Sequence, residues 1–176
     1  MLEVEIKFRA VDGVVDRLRG LGFSLAGERE EVDIYFQHPC RDFSLTDEAL
    51  RVRVIDGGVE ITYKGPRSGR GAKTRWEVST HVGLEVVEIL RRLGFVEVAR
   101  VKKRRKYFER GAVSVSLDWV EGLGQFVEIE TVVDRVEEVE GAVETVREVA
   151  RWLGLAEEVR ETYLELILKS RGDAVF

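Results

Sequence analysis

Charged and apolar residues alternate without a break in Glu3-Val4-Glu5-Ile6-Lys7, and this pattern sets the architecture that we expect. In a β-strand, residues two positions apart point to the same face. One face of this strand is therefore apolar, and the other face carries both acidic and basic groups. The same alternation returns far along the chain in Phe126-Val127-Glu128-Ile129-Glu130.

Four more segments between these two show the same alternation. A single strand of this kind is expected in a sheet whose polar face meets water. About eight strands and a few helices in 176 residues favour a closed barrel, since closure removes exposed sheet edges. The sequence therefore predicts an α+β fold of about eight strands in a closed β-barrel, with helices packed outside and charged faces turned inward. The four segments are residues 51–54, 61–64, 75–78 and 113–118.

The sequence also contains an internal repeat. Leu21-Gly22-Phe23 recurs 72 positions later as Leu93-Gly94-Phe95. A third, looser copy begins at Phe126 and ends its helix at Leu153-Gly154-Leu155. Glycine after the last residue of a helix favours a left-handed cap. We therefore expect residues 1–176 to form a single domain built from pseudo-repeated strand-helix-strand units.

The helices are predicted from apolar residues spaced three and four positions apart. A further short helix is expected from Val159 to Lys169. Gly65 to Lys73 is the clearest flexible loop, and we interpret it as a mobile lid near the mouth of the barrel. The apolar stripes that mark the helices of the second and third copies are Val86, Ile89, Leu90 and Leu93, and Val139, Val143, Val146, Ala150 and Leu153.

Composition excludes several classes of protein. There are 33 Asp and Glu against 28 Lys and Arg, a net charge of −5, which argues against a general nucleic-acid binder. No apolar run approaches the roughly 20 residues that cross a bilayer, and the start lacks a secretory signal pattern. Cys40 stands alone, so no disulfide framework is expected. We expect a cytoplasmic protein without nucleic-acid or membrane partners, and the absence of Asn favours a thermophilic source.

The predicted inward-facing charges have both signs. Carboxylates are hard oxygen ligands that suit Mg²⁺ or Mn²⁺, and arginines can bind phosphate oxygens in pairs. The two sets could neutralise each other, but a polyphosphate with metal ions would satisfy both. The carboxylates are Glu3, Glu5, Glu77, Asp118, Glu128 and Glu130, and the cations are Lys7, Arg51, Arg53, Lys64, Arg75, Lys103 and Arg105.

Glu3-Val4-Glu5-Ile6-Lys7 resembles the ExExK signature of the CYTH superfamily, the triphosphate tunnel enzymes, which include class IV adenylate cyclases and thiamine triphosphatases. The resemblance covers nearly the whole chain, and it implies an eight-stranded antiparallel tunnel, a divalent metal and a triphosphate substrate. The other segments that carry the resemblance are Asp33–Phe36, Leu50–Arg53, Thr62–Pro66, Arg75–Glu77, Lys103–Arg105, Asp118 with Gly122–Glu130, and Thr162–Leu166.

The resemblance also implies roles for the charged residues. It implies that Glu3, Glu5, Asp118, Glu128 and Glu130 bind metal, that Glu77 assists, and that the seven cations grip phosphates. Counting back from Gly111 favours Lys103 and Arg105 over Lys102 and Arg104. Glu3, Glu5 and Lys103 are the candidate catalytic residues, and Lys103 is a candidate for positioning water or substrate.

Two reactions fit such a site. A cyclase would convert ATP to cyclic AMP and pyrophosphate, whereas a triphosphatase would hydrolyse inorganic tripolyphosphate, thiamine triphosphate or a nucleoside triphosphate. The segment Gly122–Glu130 is closer to the cyclase branch, which we favour. A non-catalytic polyphosphate-binding module is a third alternative, but it would not need the full set of carboxylates. The resemblance is compatible with a homodimer.

Overall fold

The structure, a computed structural model, describes residues 2–67 and 75–172. It contains eight strands, four α-helices and a short 3-10 helix at Val136–Glu138. The strands are β1 (Leu2–Arg9), β2 (Ser24–Gln37), β3 (Ala49–Ile55), β4 (Gly58–Lys64), β5 (Glu77–Val82), β6 (Val96–Arg110), β7 (Val113–Val120) and β8 (Gly124–Val133). The helices are α1 (Val14–Gly20), α2 (Val86–Arg92), α3 (Val139–Trp152) and α4 (Tyr163–Ser170).

The eight strands form one antiparallel sheet in the order β1-β8-β7-β6-β2-β3-β4-β5. The sheet curls so that one face is concave and charged, which confirms the predicted architecture. Its closure is less complete than predicted, because β1 and β5 are sheet edges that do not pair with each other within the described ranges. Part of the β1 edge is instead occupied by the chain after α3, where the Arg9 amide donates to the Glu157 carbonyl and the Val159 amide donates to the Lys7 carbonyl.

The internal repeat appears as two units with the order strand, helix and three strands. α1 and α2 begin 72 positions apart, as do β2 and β6, and β2 pairs with β6 at the centre of the sheet. The helix expected in the third copy is α3, and Gly154 after it has the expected positive φ of 70°. The strand expected to open that copy is β8, which is instead the last strand of the second unit. No sheet strand follows α3 in the part of the chain that the structure describes.

The main core lies between α3 and the outer face of β1 and β8. Val4 and Ile6 on β1 and Ile129 on β8 are buried there against Val146 of α3. Burying one such side chain contributes about 1.5–3 kcal/mol. Because these strands alternate strictly, the packing that buries their apolar face also turns their charged face into the concave side of the sheet.

The outer face of β2 and β3 is covered by a shorter helix, α2. α2 buries Val87 and Leu90 against β2 and β3, as part of a separate apolar cluster. The predicted stripe was therefore wrong in part, because Ile89 and Leu93 are exposed. A helix of seven residues presents only about two turns, so it covers a narrow band of the sheet.

α4 packs against the concave face of the sheet. Its residues Tyr163, Ile167 and Leu168 are buried together with Val101 and Phe126 of the sheet. Thr162 caps the helix and forms a reciprocal capping box with Glu165. The helix begins four residues later than predicted. Across the described parts of the chain, no helix combines the length and apolar character needed to cross a bilayer.

Candidate functional site: a charged tunnel

The concave face of the sheet encloses a cavity of about 350 Å³. Every site residue that the sequence predicted lines it, except Asp118. The lining residues from that prediction are Glu3, Glu5, Lys7, Arg51, Arg53, Lys64, Arg75, Glu77, Lys103, Arg105, Glu128 and Glu130. Lys102 and Arg104 lie on the outer face of β6 and are exposed, so the structure places Lys103 and Arg105 inside.

Three carboxylates form a cluster on one wall of the cavity. Glu5 of β1 lies opposite Glu130 of β8, and Glu3 follows on the same face of β1. One oxygen from each of the three lies within 4.8 Å of the others. Burial first, and then repulsion from neighbouring carboxylates, raises the pKa of Glu3 to about 8 and that of Glu130 to about 7. This set of partly buried oxygen donors fits a hard divalent cation such as Mg²⁺ or Mn²⁺.

Cations line the other side of the curled sheet. Arg51 and Arg53 lie on β3, Lys64 ends β4, and Arg75 precedes β5. The Nε of Arg51 is buried without a hydrogen-bond partner in the described structure, although its terminal nitrogens reach Thr62 and other groups. Buried donors are normally satisfied, and a guanidinium nitrogen is a donor that a phosphate oxygen can accept from.

Glu77 and Glu128 have cationic partners. Lys64 Nζ lies 2.6 Å from a Glu77 oxygen, and Lys7 Nζ lies 3.7 Å from a Glu128 oxygen. Arg105 also pairs with Glu128. These two carboxylates therefore border the cluster of Glu3, Glu5 and Glu130 without forming part of it.

Asp118 occupies a different place from the predicted one. It is fully buried beneath the cavity, where it accepts hydrogen bonds from Arg105 and, at 2.7 Å, from the Tyr163 hydroxyl. Strand alternation gave the correct face of β7, but Arg105 lies directly opposite Asp118 in the β6–β7 register and binds its carboxylate. The geometry thus makes Asp118 a support for Arg105 and separates it from the carboxylate cluster.

A matching pair lies in the other half of the sheet with its charges exchanged. Arg53 of β3 donates to both oxygens of Asp33 on β2, at 2.6 and 2.8 Å. The repeat offset of 72 places Asp33 in the position of Arg105, so the acidic and basic members of the two pairs are reversed. Between the two pairs, Lys103 lies 3.6 Å from Asp33. Together these groups form a buried ionic floor under the cavity.

Glu31 is a member of this floor that sequence reasoning missed. It is fully buried and lies 3.3 Å from both Lys103 and Arg53, and it accepts a hydrogen bond from Tyr107. Burial alone would raise the pKa of Glu31, but Lys103 and Arg53 lower it to about 2. Alternation could have found it, because Val32 and Ile34 mark the apolar face of β2 and place Glu31 on the same face as Asp33.

Tyr163 of α4 lines the cavity and contacts the ionic floor. Its ring lies 4.0 Å from Lys7 Nζ and 5.2 Å from Lys103 Nζ, measured to the ring centre. Burial lowers the pKa of Lys103, and the nearby Arg105 lowers it further. The aromatic face attracts both ammonium groups and fixes where they enter the cavity.

Part of the cavity lining is apolar. Phe43 of the β2–β3 loop, Leu50 of β3, Val98 of β6 and Leu164 of α4 line the cavity together with polar residues of the same loop and helix. A bare polyphosphate does not need apolar surface of this kind, whereas an organic group can pack against it.

Arg67, which belongs to the predicted lid, also lines the cavity. It lies 2.7 Å from Asp47 in the β2–β3 loop and 2.9 Å from Glu165 of α4. Arg67 thus connects two other elements that line the cavity. Residues 68–73 of that predicted lid lie outside the described residues.

A curled eight-stranded sheet with a carboxylate cluster facing a set of cations defines the class of triphosphate tunnel proteins. The CYTH domain matches residues 1–163 of the chain, which therefore belongs to the CYTH domain family.

Three proteins are similar to this chain over most of its length. A protein of Methanocaldococcus jannaschii with a provisional adenylate cyclase name is 38% identical over 172 residues, covering 94% of this chain and 98% of its own. An adenylate cyclase of Aeromonas hydrophila is 28% identical, covering 91% of this chain and 84% of its own. A solved structure of a Pyrococcus horikoshii protein is 43% identical with a TM-score of 0.90, covering 96% of this chain and 99% of its own.

Proposed function

We propose that this protein is a divalent-metal-dependent enzyme that acts on a triphosphate in the tunnel, as a class IV type adenylate cyclase converting ATP to cyclic AMP and pyrophosphate. The observation that carries the proposal is the cluster of Glu3, Glu5 and Glu130 facing the cations of β3 and β4 across one cavity. A polyanion alone would be repelled by the first group, and a metal ion alone would be repelled by the second. Bound together, a metal ion and a triphosphate satisfy both.

The carboxylate cluster holds Mg²⁺ or Mn²⁺ in this proposal. The ion supplies positive charge that neutralises phosphate oxygens. Glu77 and Glu128 border the cluster and keep Lys64 and Lys7 directed at the cavity. The cations that contact phosphate oxygens are Lys7, Arg51, Arg53, Lys64, Arg75, Lys103 and Arg105.

The ionic floor pre-organises these cations. Asp118 fixes the guanidinium of Arg105, and Asp33 fixes that of Arg53, each through paired hydrogen bonds. Fixed donors need no reorganisation when charge moves between phosphate groups, which is how such sites lower a barrier. In a cyclase the ribose 3′-oxygen attacks the α-phosphorus and the bond to pyrophosphate breaks. We assign Lys103 to positioning the reacting phosphate.

The apolar part of the cavity lining, which includes Phe43 and Leu164, favours a substrate with an organic group and so supports ATP over inorganic tripolyphosphate. The adenylate cyclase names of two relatives point the same way. A triphosphatase is the second candidate, because every charged residue of the tunnel addresses the triphosphate part of a substrate. The same residues would serve attack by water on the terminal phosphorus of thiamine triphosphate or a nucleoside triphosphate.

Product analysis separates these candidates. The pure protein is incubated with ATP, thiamine triphosphate and tripolyphosphate, each with Mg²⁺ or Mn²⁺. Cyclic AMP with pyrophosphate supports the cyclase, whereas orthophosphate with a diphosphate product establishes the triphosphatase. Tight triphosphate binding without any product refutes both and identifies a binding module.

Substitutions in the cluster test its role. Glu3→Gln and Glu5→Gln should abolish metal-dependent turnover while the circular dichroism spectrum stays unchanged. Glu88→Gln is the matched control, because this carboxylate lies on the exposed side of α2, away from the cavity. Turnover that survives Glu3→Gln and Glu5→Gln would remove the cluster from the mechanism.

A further inference from the structure

The cavity ends part of the way along the concave face of the sheet. On β2, Tyr35, Asp33, Glu31 and Arg29 follow one another on this face, because residues two positions apart share a face. Tyr35 and Asp33 line the cavity, whereas Glu31 and Arg29 are not among its lining residues in the part of the chain that the structure describes. The cavity therefore stops between Asp33 and Glu31, although the strand continues.

The neighbouring strand β6 shows the same limit. Lys103 and Arg105 line the cavity, but Tyr107, the next residue on that face, does not. Tyr107 is half-buried, and the side chain of Arg29 beside it on β2 is 40% exposed. Because neither of these two residues lines the cavity, their exposed surface meets solvent outside it. The concave face thus has the cavity on one side of Glu31 and solvent on the other.

A layer of ion pairs around Glu31 separates the cavity from this solvent. On the cavity side, the Glu31 carboxylate lies 3.3 Å from both Lys103 and Arg53. On the solvent side, it accepts a hydrogen bond from Arg29 at 2.8 Å and another from the Tyr107 hydroxyl. The Arg29 guanidinium lies over the Tyr107 ring, 4.6 Å from its centre. These contacts leave Glu31 fully buried, so the layer closes this end of the cavity.

The layer places negative charge directly behind the cations that face the cavity. Burial opposes the ionisation of Glu31 and Asp33, but Lys103 and then Arg53 hold the pKa of Glu31 at about 2 and that of Asp33 well below its usual range. Both carboxylates are therefore ionised at neutral pH. A phosphate in the cavity is attracted to Lys103 and Arg53. A phosphate pushed beyond these cations would meet Glu31 and Asp33 at short range, and like charges placed together are strongly unfavourable.

We propose that Glu31 limits the length of the phosphate chain, so that the cavity accepts a nucleoside triphosphate and rejects a nucleoside tetraphosphate. This inference rests on the proposed function, since it takes the ligand to be a triphosphate joined to an organic group. The terminal phosphate binds Lys103 and Arg53 beside the layer. The organic group lies toward the other end of β2, where Phe43 of the following loop lines the cavity. With the organic group held there, a fourth phosphate has to be placed against Glu31.

Binding of ATP and adenosine 5′-tetraphosphate to the full chain tests the proposal. Calorimetry at pH 6 without metal ion avoids turnover, and at this pH Glu3 and Glu130 hold protons that reduce their repulsion of the ligand. We expect the wild-type chain to bind the tetraphosphate at least about 30-fold more weakly than ATP. Equal or tighter binding of the tetraphosphate overturns the proposal. Formation of cyclic AMP is measured separately, and its absence together with the expected affinity ratio would overturn the proposed cyclase alone.

Substitution of Glu31 tests its role. Glu31→Gln keeps the shape of the side chain and removes its charge, so the ratio of the two affinities should fall to about threefold or less. Glu30→Gln is the matched control and should keep the wild-type ratio, because Glu30 is exposed on the opposite face of the same strand. A purely structural role of Glu31 would change both affinities by the same factor, and an unchanged ratio in Glu31→Gln therefore overturns the assignment. If Glu31→Gln does not fold, the wild-type comparison still decides whether the cavity limits chain length.

Discussion

Metal binding at Glu3, Glu5 and Glu130 should be coupled to the release of protons. The pKa of Glu3 is about 8 and that of Glu130 about 7, so at pH 6 both carboxyls hold protons in the metal-free protein. A divalent cation binds the ionised form and must displace them. We expect about two protons to be released per metal ion at pH 6 and almost none at pH 9.

The pH dependence of affinity follows from these values. The association constant for Mg²⁺ or Mn²⁺ should rise about 100-fold per pH unit below pH 7, about tenfold between pH 7 and 8, and level off above. Isothermal titration calorimetry in two buffers of different ionisation enthalpy counts the protons directly. Glu130→Gln should reduce the count at pH 6 to about one, whereas Glu88→Gln should leave it unchanged.

The same groups give the metal-free protein a stability that falls with pH. The folded pKa values of Glu3 and Glu130 are raised above the ordinary value of 4.5, so the folded state holds more protons than the unfolded state. The stabilisation is fully present below pH 4.5 and is lost as pH rises to about 8. Added metal should remove this decline. Proton release near zero at pH 6, together with pH-independent affinity, would refute the reasoning.

Three substitutions test the ion pairs beneath the cavity and the packing of the core. Lys103→Met should cost about 1.5–3 kcal/mol of unfolding free energy, because it removes one cationic partner from the buried carboxylates Glu31 and Asp33. Lys102→Met on the outer face should cost less than about 0.5 kcal/mol, and equal costs in urea would contradict the register of β6. Tyr163→Phe removes the donor to Asp118 and should cost about 1–3 kcal/mol, seen as a lower urea midpoint with the same slope, and an unchanged midpoint would disprove this hydrogen bond. Leu153→Ala should cost about 2–5 kcal/mol in thermal unfolding, and a negligible shift would mean that α3 does not anchor the core.

The strand pattern predicted the fold and most of the cavity because alternation fixes the face on which a residue lies. Glu3, Glu5, Glu128 and Glu130 face the cavity for this reason. Alternation also separated Lys103 from Lys102 once the strand was placed.

Alternation could not identify the neighbour that a residue meets across the sheet. Asp118 faces inward as expected, but the β6–β7 register places it opposite Arg105, which donates a hydrogen bond to its carboxylate. Ile89 and Leu93 fit the helical period, yet burial depends on what lies beside the helix. What packs beside a helix is set by the tertiary structure, and the local pattern of a single sequence does not show it.

Glu31 and Lys103 are each other's counterpart in the repeat, and they face each other at the centre of the sheet. Two identical halves related by a true symmetry axis would place two like charges at this buried position, which is strongly unfavourable. Covalent fusion of the halves removes that restriction, since each side can then change alone. The exchange of acid and base between Asp33–Arg53 and Arg105–Asp118 follows the same logic. Fusion thus permits a cavity with two different walls, one suited to cations and the other to anions. Such a cavity suits a ligand made of two components of opposite charge.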